Sequence, residues 1–105
     1  MLSRQILLAT TAALATTLAV GAARAEDPVR IALVVKALGI GFFEAANKGA
    51  QEAAAELGDV EVIYTGPTTT TAEAQIEVVN ALIAQRVNAI AISANDKDAP
   101  VPALQ

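Results

Sequence analysis

The segment Val29 to Lys36, VRIALVVK, is rich in β-branched residues and apolar on both faces over Ile31 to Val35. An amphipathic strand would alternate, so a continuous run of this length predicts a strand covered on both sides, as in a parallel sheet. Val60 to Tyr64 (VEVIY) and Val87 to Ser93 (VNAIAIS) are expected to be the second and third strands. Between these runs the period changes from continuous to helical. Phe42, Phe43, Ala46, Ala50, Ala53, Ala54 and Leu57 recur at three- and four-residue spacing, with Lys48, Gln51, Glu52 and Glu56 off that stripe. Gly58 stands where a helix commonly ends in the left-handed conformation. Gly66-Pro67 closes the second strand, and Thr70 and Glu73 lie in capping-box register for a second helix whose stripe is Ile76, Val79, Leu82 and Ile83. After the third strand, Asn95-Asp96-Lys97-Asp98 is a polar turn in which Asp96 or Asp98 can cap a third helix starting near Ala99, with Pro100 in its first turn.

The order β-α-β-α-β, with helices joining short apolar strands, predicts an α/β fold with right-handed crossovers and a parallel sheet. The pattern stops as a third helix begins, and strands buried on both faces need more partners than this length supplies. The chain is therefore expected to be the N-terminal part of a longer protein.

The first 25 residues are expected to stand outside the domain. Arg4 precedes an uncharged apolar stretch, Ile6 to Val20, and Ala23-Arg24-Ala25 has the small-x-small form of a cleavage site. This is the layout of a secretory signal peptide cleaved after Ala25; as a membrane anchor the stretch is short of the roughly 20 residues that span a bilayer. Removing 25 of the 105 residues leaves Glu26 to Gln105, 80 residues. Arg4 and Arg24 go with the leader, so 5 basic residues face 11 acidic ones, a net charge of −6 against −4 for the whole chain. Such a surface repels nucleic acid and anionic lipid, and the scattered cations make no local patch. The chain has no cysteine and no histidine. Disulfides, thiolate metal sites, a lipid-modified cysteine and the commonest general base are thereby excluded.

The turns that follow the strands fall on the carboxyl edge of such a sheet, where ligands of open α/β folds bind. Three segments meet there: Lys36 to Phe43, Thr65 to Thr71, and Ser93 to Asp98. Gly39-x-Gly41 resembles the opening of a dinucleotide loop, but Glu44 occupies the third glycine position. A carboxylate near a helix start repels the pyrophosphate that the helix dipole would attract. An exported protein also works where nucleotide cofactors are not ordinarily supplied. A hydrolase built on Ser93 lacks an activating histidine and the G-x-S-x-G setting. Asp96 and Asp98 as paired carboxylates compete with a plain solvated cap. No catalytic residue, metal site or cofactor is assigned. A small neutral polyol or sugar fits the residue types better: Lys36 donates, Asn95 can donate and accept, Asp96 accepts from hydroxyls, and a phenyl ring at Phe42 or Phe43 covers a C–H face. One of the two rings is needed by the helical stripe, whereas adjacent helical residues diverge by about 100°, so it is harder for both to be core. Lys36 can equally be a solvated strand end.

Read together, V-V-K-x-L-G-x-G-F-F-x-A-A-x-K-G-A, then Y-T-G-P-T-x-x-T-A-E-x-Q-I-E, then I-A-I-S-A-N-D resemble the periplasmic sugar-binding proteins of ABC importers, and within them the rhamnose-binding branch. The match runs from about Arg30 to Gln105. The resemblance implies a non-catalytic protein of two α/β lobes joined by hinge strands. It would be monomeric at full length, closing on a sugar in the periplasm and delivering it to a membrane permease. Residues 26–105 would be the truncated first part of lobe one. It further implies ligand contacts after strands one and three: Lys36, Phe42, Phe43, Asn95 and Asp96. An autoinducer-2 binder of the same family shares the lysine and the G-x-G-F-F segment, while Ser93-Ala94-Asn95-Asp96 favours the rhamnose branch. A cytosolic sugar-responsive repressor shares the fold but carries a DNA-binding helix-turn-helix where the signal peptide stands. Two positions depart from the pattern. Ile40 stands where the resemblance implies a polar residue, commonly asparagine, and is expected to alter a ligand contact. Pro100 replaces a leucine and is expected to loosen the last helix.

Overall fold

The computed structural model describes residues 27–105; the expected leader and its cleavage after Ala25 lie outside them. Six elements follow in order: β1 (Val29–Val34), α1 (Gly41–Leu57), β2 (Val60–Thr65), α2 (Ala72–Ala84), β3 (Ala89–Ile92) and α3 (Val101–Leu104). The strands form one parallel sheet in the order β2-β1-β3, so the α/β parallel architecture holds. Moving out to β2 and back past β1 to β3 with right-handed crossovers requires α1 and α2 on opposite faces. That is the arrangement found.

The two faces are covered unequally. Ala32 and Val34 of β1 are fully buried and cluster with Leu82 of α2, with Ile63, Ile90 and Ile92 packed around them. Val79, one turn before Leu82, is also fully buried. Burying a valine or leucine side chain completely contributes about 1.5–3 kcal/mol, so the apolar stabilisation concentrates on this face. On the other face α1 packs over β2. Ile31 and Leu33 are only half-buried and Ala89 and Ala91 are exposed. An apolar groove of about 220 Å³ runs there between Ala53 and Leu57 of α1 and the strands. Strand β1 is thus apolar on both faces as its sequence demands, and fully covered on one.

This tilt of α1 toward β2 corrects the expected stripe. Its buried line is Phe43, Asn47, Ala50 and Ala54, spaced i, i+4, i+7, i+11, and only Ala54 is fully buried. Phe42 is 78% exposed and Leu57 65%. Gly58 ends the helix as expected, at φ 80 with its N–H donating to the Ala54 carbonyl.

Helix α2 begins one residue later than the capping-box register predicts. Thr71 is its N-cap, and the Thr71 hydroxyl accepts from the Ala74 N–H at 3.3 Å. Ala74 has no side chain to reciprocate, so a simple cap replaces the box. The buried line of α2 is Gln75, Val79 and Leu82, while Ile83 is 48% exposed. The last turn of α2 carries no basic residue. Arg30 of β1 supplies the charge instead: its guanidinium donates to the Gln85 and Arg86 carbonyls, the latter at 3.0 Å. A cation at a helix C-terminus opposes the dipole and satisfies otherwise free carbonyls.

Strand β3 starts two residues after Val87 because Asn88 pairs through its side chain. Its Oδ1 accepts from Arg30 N–H while its own N–H donates to the Arg30 carbonyl, both at 2.8 Å. The third helix starts at Val101, and Pro100, buried at its N-cap, accepts from Ala103 and Leu104 N–H at 3.1 and 3.2 Å. A proline there keeps its carbonyl and has no N–H to leave unpaired, so the helix forms directly after it.

Gly66 ends β2 against the end of β1. A Cβ built on it would lie 2.8 Å from Val35 Cγ2 and 3.0 Å from the Val35 carbonyl oxygen. Val35 N–H donates to Thr65 O and Leu38 N–H to Pro67 O, at 3.0 and 2.9 Å, so neither chain can move aside without losing a bond. The Gly66→Ala variant is expected to lose about 1–3 kcal/mol by overpacking, read as a lower urea midpoint at unchanged slope. An unchanged midpoint would show that the contact relaxes freely.

Candidate functional site

Strand order reverses at β1: one crossover leaves it for β2, the next returns beyond it to β3. The carboxyl ends of β1 and β3 therefore flank the topological switch point, where open α/β sheets form a crevice. The ladder closes with the Ser93 N–H donating to the Val34 carbonyl at 2.9 Å. Past that rung the two chains separate, one into Val35-Lys36 and the other into Ala94-Asn95-Asp96.

Three of the residues expected to bind ligand stand on this rim. The Asn95 side chain crosses the gap: its Nδ2 donates to the Lys36 carbonyl at 2.9 Å and to the Thr71 carbonyl at 3.4 Å. Both amide hydrogens are thereby used. An asparagine amide can in general donate and accept, but the fold leaves Asn95 with Oδ1 alone, an acceptor. Lys36, whose backbone is held by this bond, has an exposed side chain. Asp96 Oδ1 accepts from Asp98 N–H at 2.8 Å and Ala99 N–H at 2.7 Å. It organises the turn ahead of α3, but the N-cap of that helix is Pro100 with no side-chain cap bond, so neither Asp96 nor Asp98 caps it as expected. Asp98 pairs with Lys97 at 2.6 Å, both side chains exposed, which gives no paired-carboxylate site with Asp96. Oδ2 of Asp96 has no partner among the described residues and is a second acceptor.

Phe42 and Phe43 open α1 at the end of the β1 loop. Their rings meet edge-to-face, centroids 5.3 Å apart at 84°. Phe43 is half-buried and Phe42 is 78% exposed, so one ring packs and the other is free, as their divergence on a helix requires. Gly39, at φ 84, makes the turn that sets this start, a conformation glycine adopts without penalty. Ile40 is the N-cap of α1, extended at φ −94 and ψ 120, with no side-chain cap bond. Its carbonyl accepts from Phe43 and Glu44 N–H at 3.0 and 3.1 Å. Glu44 sits in the first turn, favourable to the helix dipole, and its Oε1 accepts from the Tyr64 hydroxyl at 3.0 Å. Desolvation first, and this carboxylate second, raise the Tyr64 phenol above its ordinary range.

The residue that sequence reasoning misses is Gln75. It is 1% exposed, and its amide binds Val35, Ser93 and Asn95, all beside the switch point. One signal points to it: Gln75 lies four residues before Val79 and seven before Leu82, on the apolar line of α2. A separate groove of about 580 Å³, lined by Ile83, Ile90, Ile92 and Leu104 among others, lies beside β3 and contains none of the rim residues. No cluster of metal-ligating side chains occurs among the described residues.

A periplasmic binding protein domain matches residues 31–105. The chain belongs to this family. Solved structures similar to it include an ABC transporter solute-binding protein of Clostridium phytofermentas with bound L-rhamnose, at 35% identity and TM-score 0.68, covering 73% of this chain and 24% of that one. LsrB of Clostridium saccharobutylicum in complex with AI-2 is 36% identical at TM-score 0.64, covering 72% and 24%. An Actinobacillus succinogenes periplasmic solute-binding protein with bound D-allose is 32% identical at TM-score 0.65, covering 73% and 27%. The chain spans about a quarter of the length of these proteins, and its three-stranded sheet corresponds to part of one lobe.

The rim geometry has two measurable consequences. Asparagine is among the best N-caps and isoleucine among the poorest, a difference of about 0.5–2 kcal/mol. Ile40 is 37% exposed, so the apolar burial lost on replacing it offsets much of the cap's gain. Ile40→Asn is therefore expected to leave stability in urea within about 1 kcal/mol of the original while slowing hydrogen exchange of the first-turn amides of α1; faster exchange there would contradict the capping argument. The Asp96 carboxyl is held below its ordinary 3.8 by the Ala99 and then the Asp98 N–H bonds, against a smaller opposing effect of desolvation. A depressed folded value means that its stabilisation is complete above the unfolded value and lost as pH falls through the folded one. In a carbon-detected NMR titration Asp96 should therefore have a midpoint below 3.8, and Asp96→Ala should flatten the acid limb of the stability profile.

Proposed function

We propose that this chain forms the beginning of the first lobe of the substrate-binding component of a sugar ABC importer. It is exported by residues 1–25, captures a small sugar in the periplasm and hands it to the membrane permease. The chain acts by binding, without catalysis. The observation that carries the reading is the composition of the switch-point rim, taken with the aromatic pair that opens α1, in a chain of this family. One ammonium donor (Lys36), two free acceptor oxygens (Asn95 Oδ1 and Asp96 Oδ2) and one exposed ring (Phe42) beside a half-buried one (Phe43) suit a neutral ligand with hydroxyl groups and a C–H face.

L-rhamnose is the ligand we favour. The support is the Ser93-Ala94-Asn95-Asp96 run and the similarity to a protein with bound L-rhamnose. The second reading is AI-2, favoured by the equally similar AI-2-bound protein. One wall of a two-walled site holds a ligand weakly, because the remaining contacts and the exclusion of water come from closure of the second lobe.

Nitrogen-15 NMR titration of the chain with L-rhamnose, D-allose and AI-2 tests this. The expected result is a shift confined to Lys36, Phe42, Phe43, Asn95 and Asp96, with a Kd of about 1 mM or weaker and L-rhamnose ahead of the others. Shifts centred elsewhere would overturn the site, micromolar binding would overturn the half-site argument, and preference for AI-2 would select the second reading.

A further inference from the structure

We infer that Gln75 is a positioning residue for the ligand rim: its buried amide takes the place of the next ladder rung between β1 and β3 and thereby fixes the spacing of Lys36 and Asn95. The inference rests on the reading of that rim as a binding edge.

Backbone pairing between the two strands ends at the Ser93 N–H bond to Val34. The next two carbonyls, Val35 and Ser93, both receive a hydrogen bond from Gln75 Nε2, at 3.1 and 2.9 Å. Gln75 Oε1 accepts the Asn95 N–H at 2.8 Å. One primary amide carries two donor hydrogens and an acceptor oxygen, and here all three functions are directed at the two diverging chains. The residue is fully buried on the same line of α2 as Val79 and Leu82. Packing of α2 against the sheet therefore fixes where this amide stands. Asn95 then makes the second crosslink, to Lys36 O. The spacing across the crevice is thus set from the core outward: Val79 and Leu82 seat α2, Gln75 spans Val35 and Ser93, and Asn95 spans to Lys36.

Leucine fits the volume of glutamine but offers none of the three bonds, and buried polar groups left unpaired move to find water. In the Gln75→Leu variant the Val35 and Ser93 carbonyls and the Asn95 N–H would turn outward, and Lys36 and Asn95 would lose their common register. A purely structural role would show only as lower stability. The Val79→Ala variant supplies that comparison, since Val79 lies one turn further along α2 and is fully buried but bonds to neither loop.

The first measurement needs no variant and no sugar. Hydrogen exchange of the Gln75 side-chain amide and of the Asn95 N–H in the wild-type chain is expected to be slowed well below that of the exposed Gln85 side chain; equal rates would overturn the proposal. The second compares Gln75→Leu with Val79→Ala by NMR titration with L-rhamnose and D-allose. Gln75→Leu should displace the Lys36 and Asn95 resonances in the free chain and weaken sugar binding about tenfold, whereas Val79→Ala, also less stable, should leave Kd within about twofold. Parallel weakening in both variants, or unchanged Lys36 and Asn95 resonances in Gln75→Leu, would overturn the positioning role. Should Gln75→Leu fail to fold, the wild-type exchange rates decide. Should the wild-type chain bind none of the sugars while Gln75 and Asn95 remain protected, the binding reading fails and the crosslink stands as a structural one.

Discussion

Two parallel strands that part at their carboxyl ends leave carbonyls and amides with no ladder partner, and the rest of this fold is arranged around how those groups are satisfied. Water could satisfy them only if the crevice floor were open, which would separate α2 from the sheet. A single glutamine from the middle of the core does it instead, with bonds of 2.8 to 3.1 Å to three backbone groups. A buried amide is costly unless every function is used, and this one uses both donors and its acceptor. The requirement also explains why α2, and not α1, carries the tight packing: the amide must be held to hydrogen-bond tolerance, and Val79 and Leu82 behind it are 0% and 3% exposed.

The two helices accordingly have different roles. Helix α2 is anchored at both ends by side chains, Thr71 at its start and Arg30 of β1 at its finish, and these fix its axial position over the sheet. Helix α1 has no side-chain N-cap and leans over β2, with Gln51 reaching the Val62 carbonyl at 3.1 Å and Glu44 receiving the Tyr64 hydroxyl. It holds the aromatic pair by its first turn, while Ala46, Ala53 and Leu57, beside the buried line, remain exposed. Small residues along α1 allow close approach to a sheet, and the half-buried Ile31 and Leu33 show that the approach is complete only over the β2 side.

Much of this is legible in the sequence, and the particular misses have physical reasons. VRIALVVK identifies a two-face strand because no other strand environment accommodates five consecutive apolar residues without a polar face. Gly58 marks the end of α1 because a left-handed C-cap is a backbone requirement that shows in residue type. The stripe that periodicity draws on α1 is too wide, because periodicity reports which residues can be buried, whereas the tilt of a helix on its sheet decides which of them are. Thr70 and Thr71 are chemically equivalent caps, so residue type alone does not separate them. Gln75 escapes a search for apolar stripes because it is polar, although its register with Val79 and Leu82 sets it on the buried line. Asn95 and Asp96 do stand on the edge where topology places them. Their residue types overstate their hydrogen-bonding capacity, since a sequence does not show how much of a polar side chain its own backbone will consume.

That last point narrows the chemistry of the rim. Asn95 Nδ2 is committed to Lys36 and Thr71, and Asp96 Oδ1 to Asp98 and Ala99. What each has left is an acceptor oxygen. Backbone donors lower the Asp96 carboxyl below its ordinary value, and the second oxygen of the ionised group is an acceptor. On the proposed reading, a ligand on this wall would donate hydroxyl hydrogens to those two oxygens and accept from the Lys36 ammonium, while laying an apolar face on Phe42. An anionic ligand would meet a carboxylate and an amide oxygen with a single cation to offset them, which disfavours it. The turn at Gly39 sets the start of α1, which the two rings open, and Ile40 leaves that helix start uncapped by any side chain. Lys36 and Asn95 face each other across the end of the ladder through the Asn95 bond to the Lys36 carbonyl, and the Gln75 amide beneath them bonds both chains from within the core.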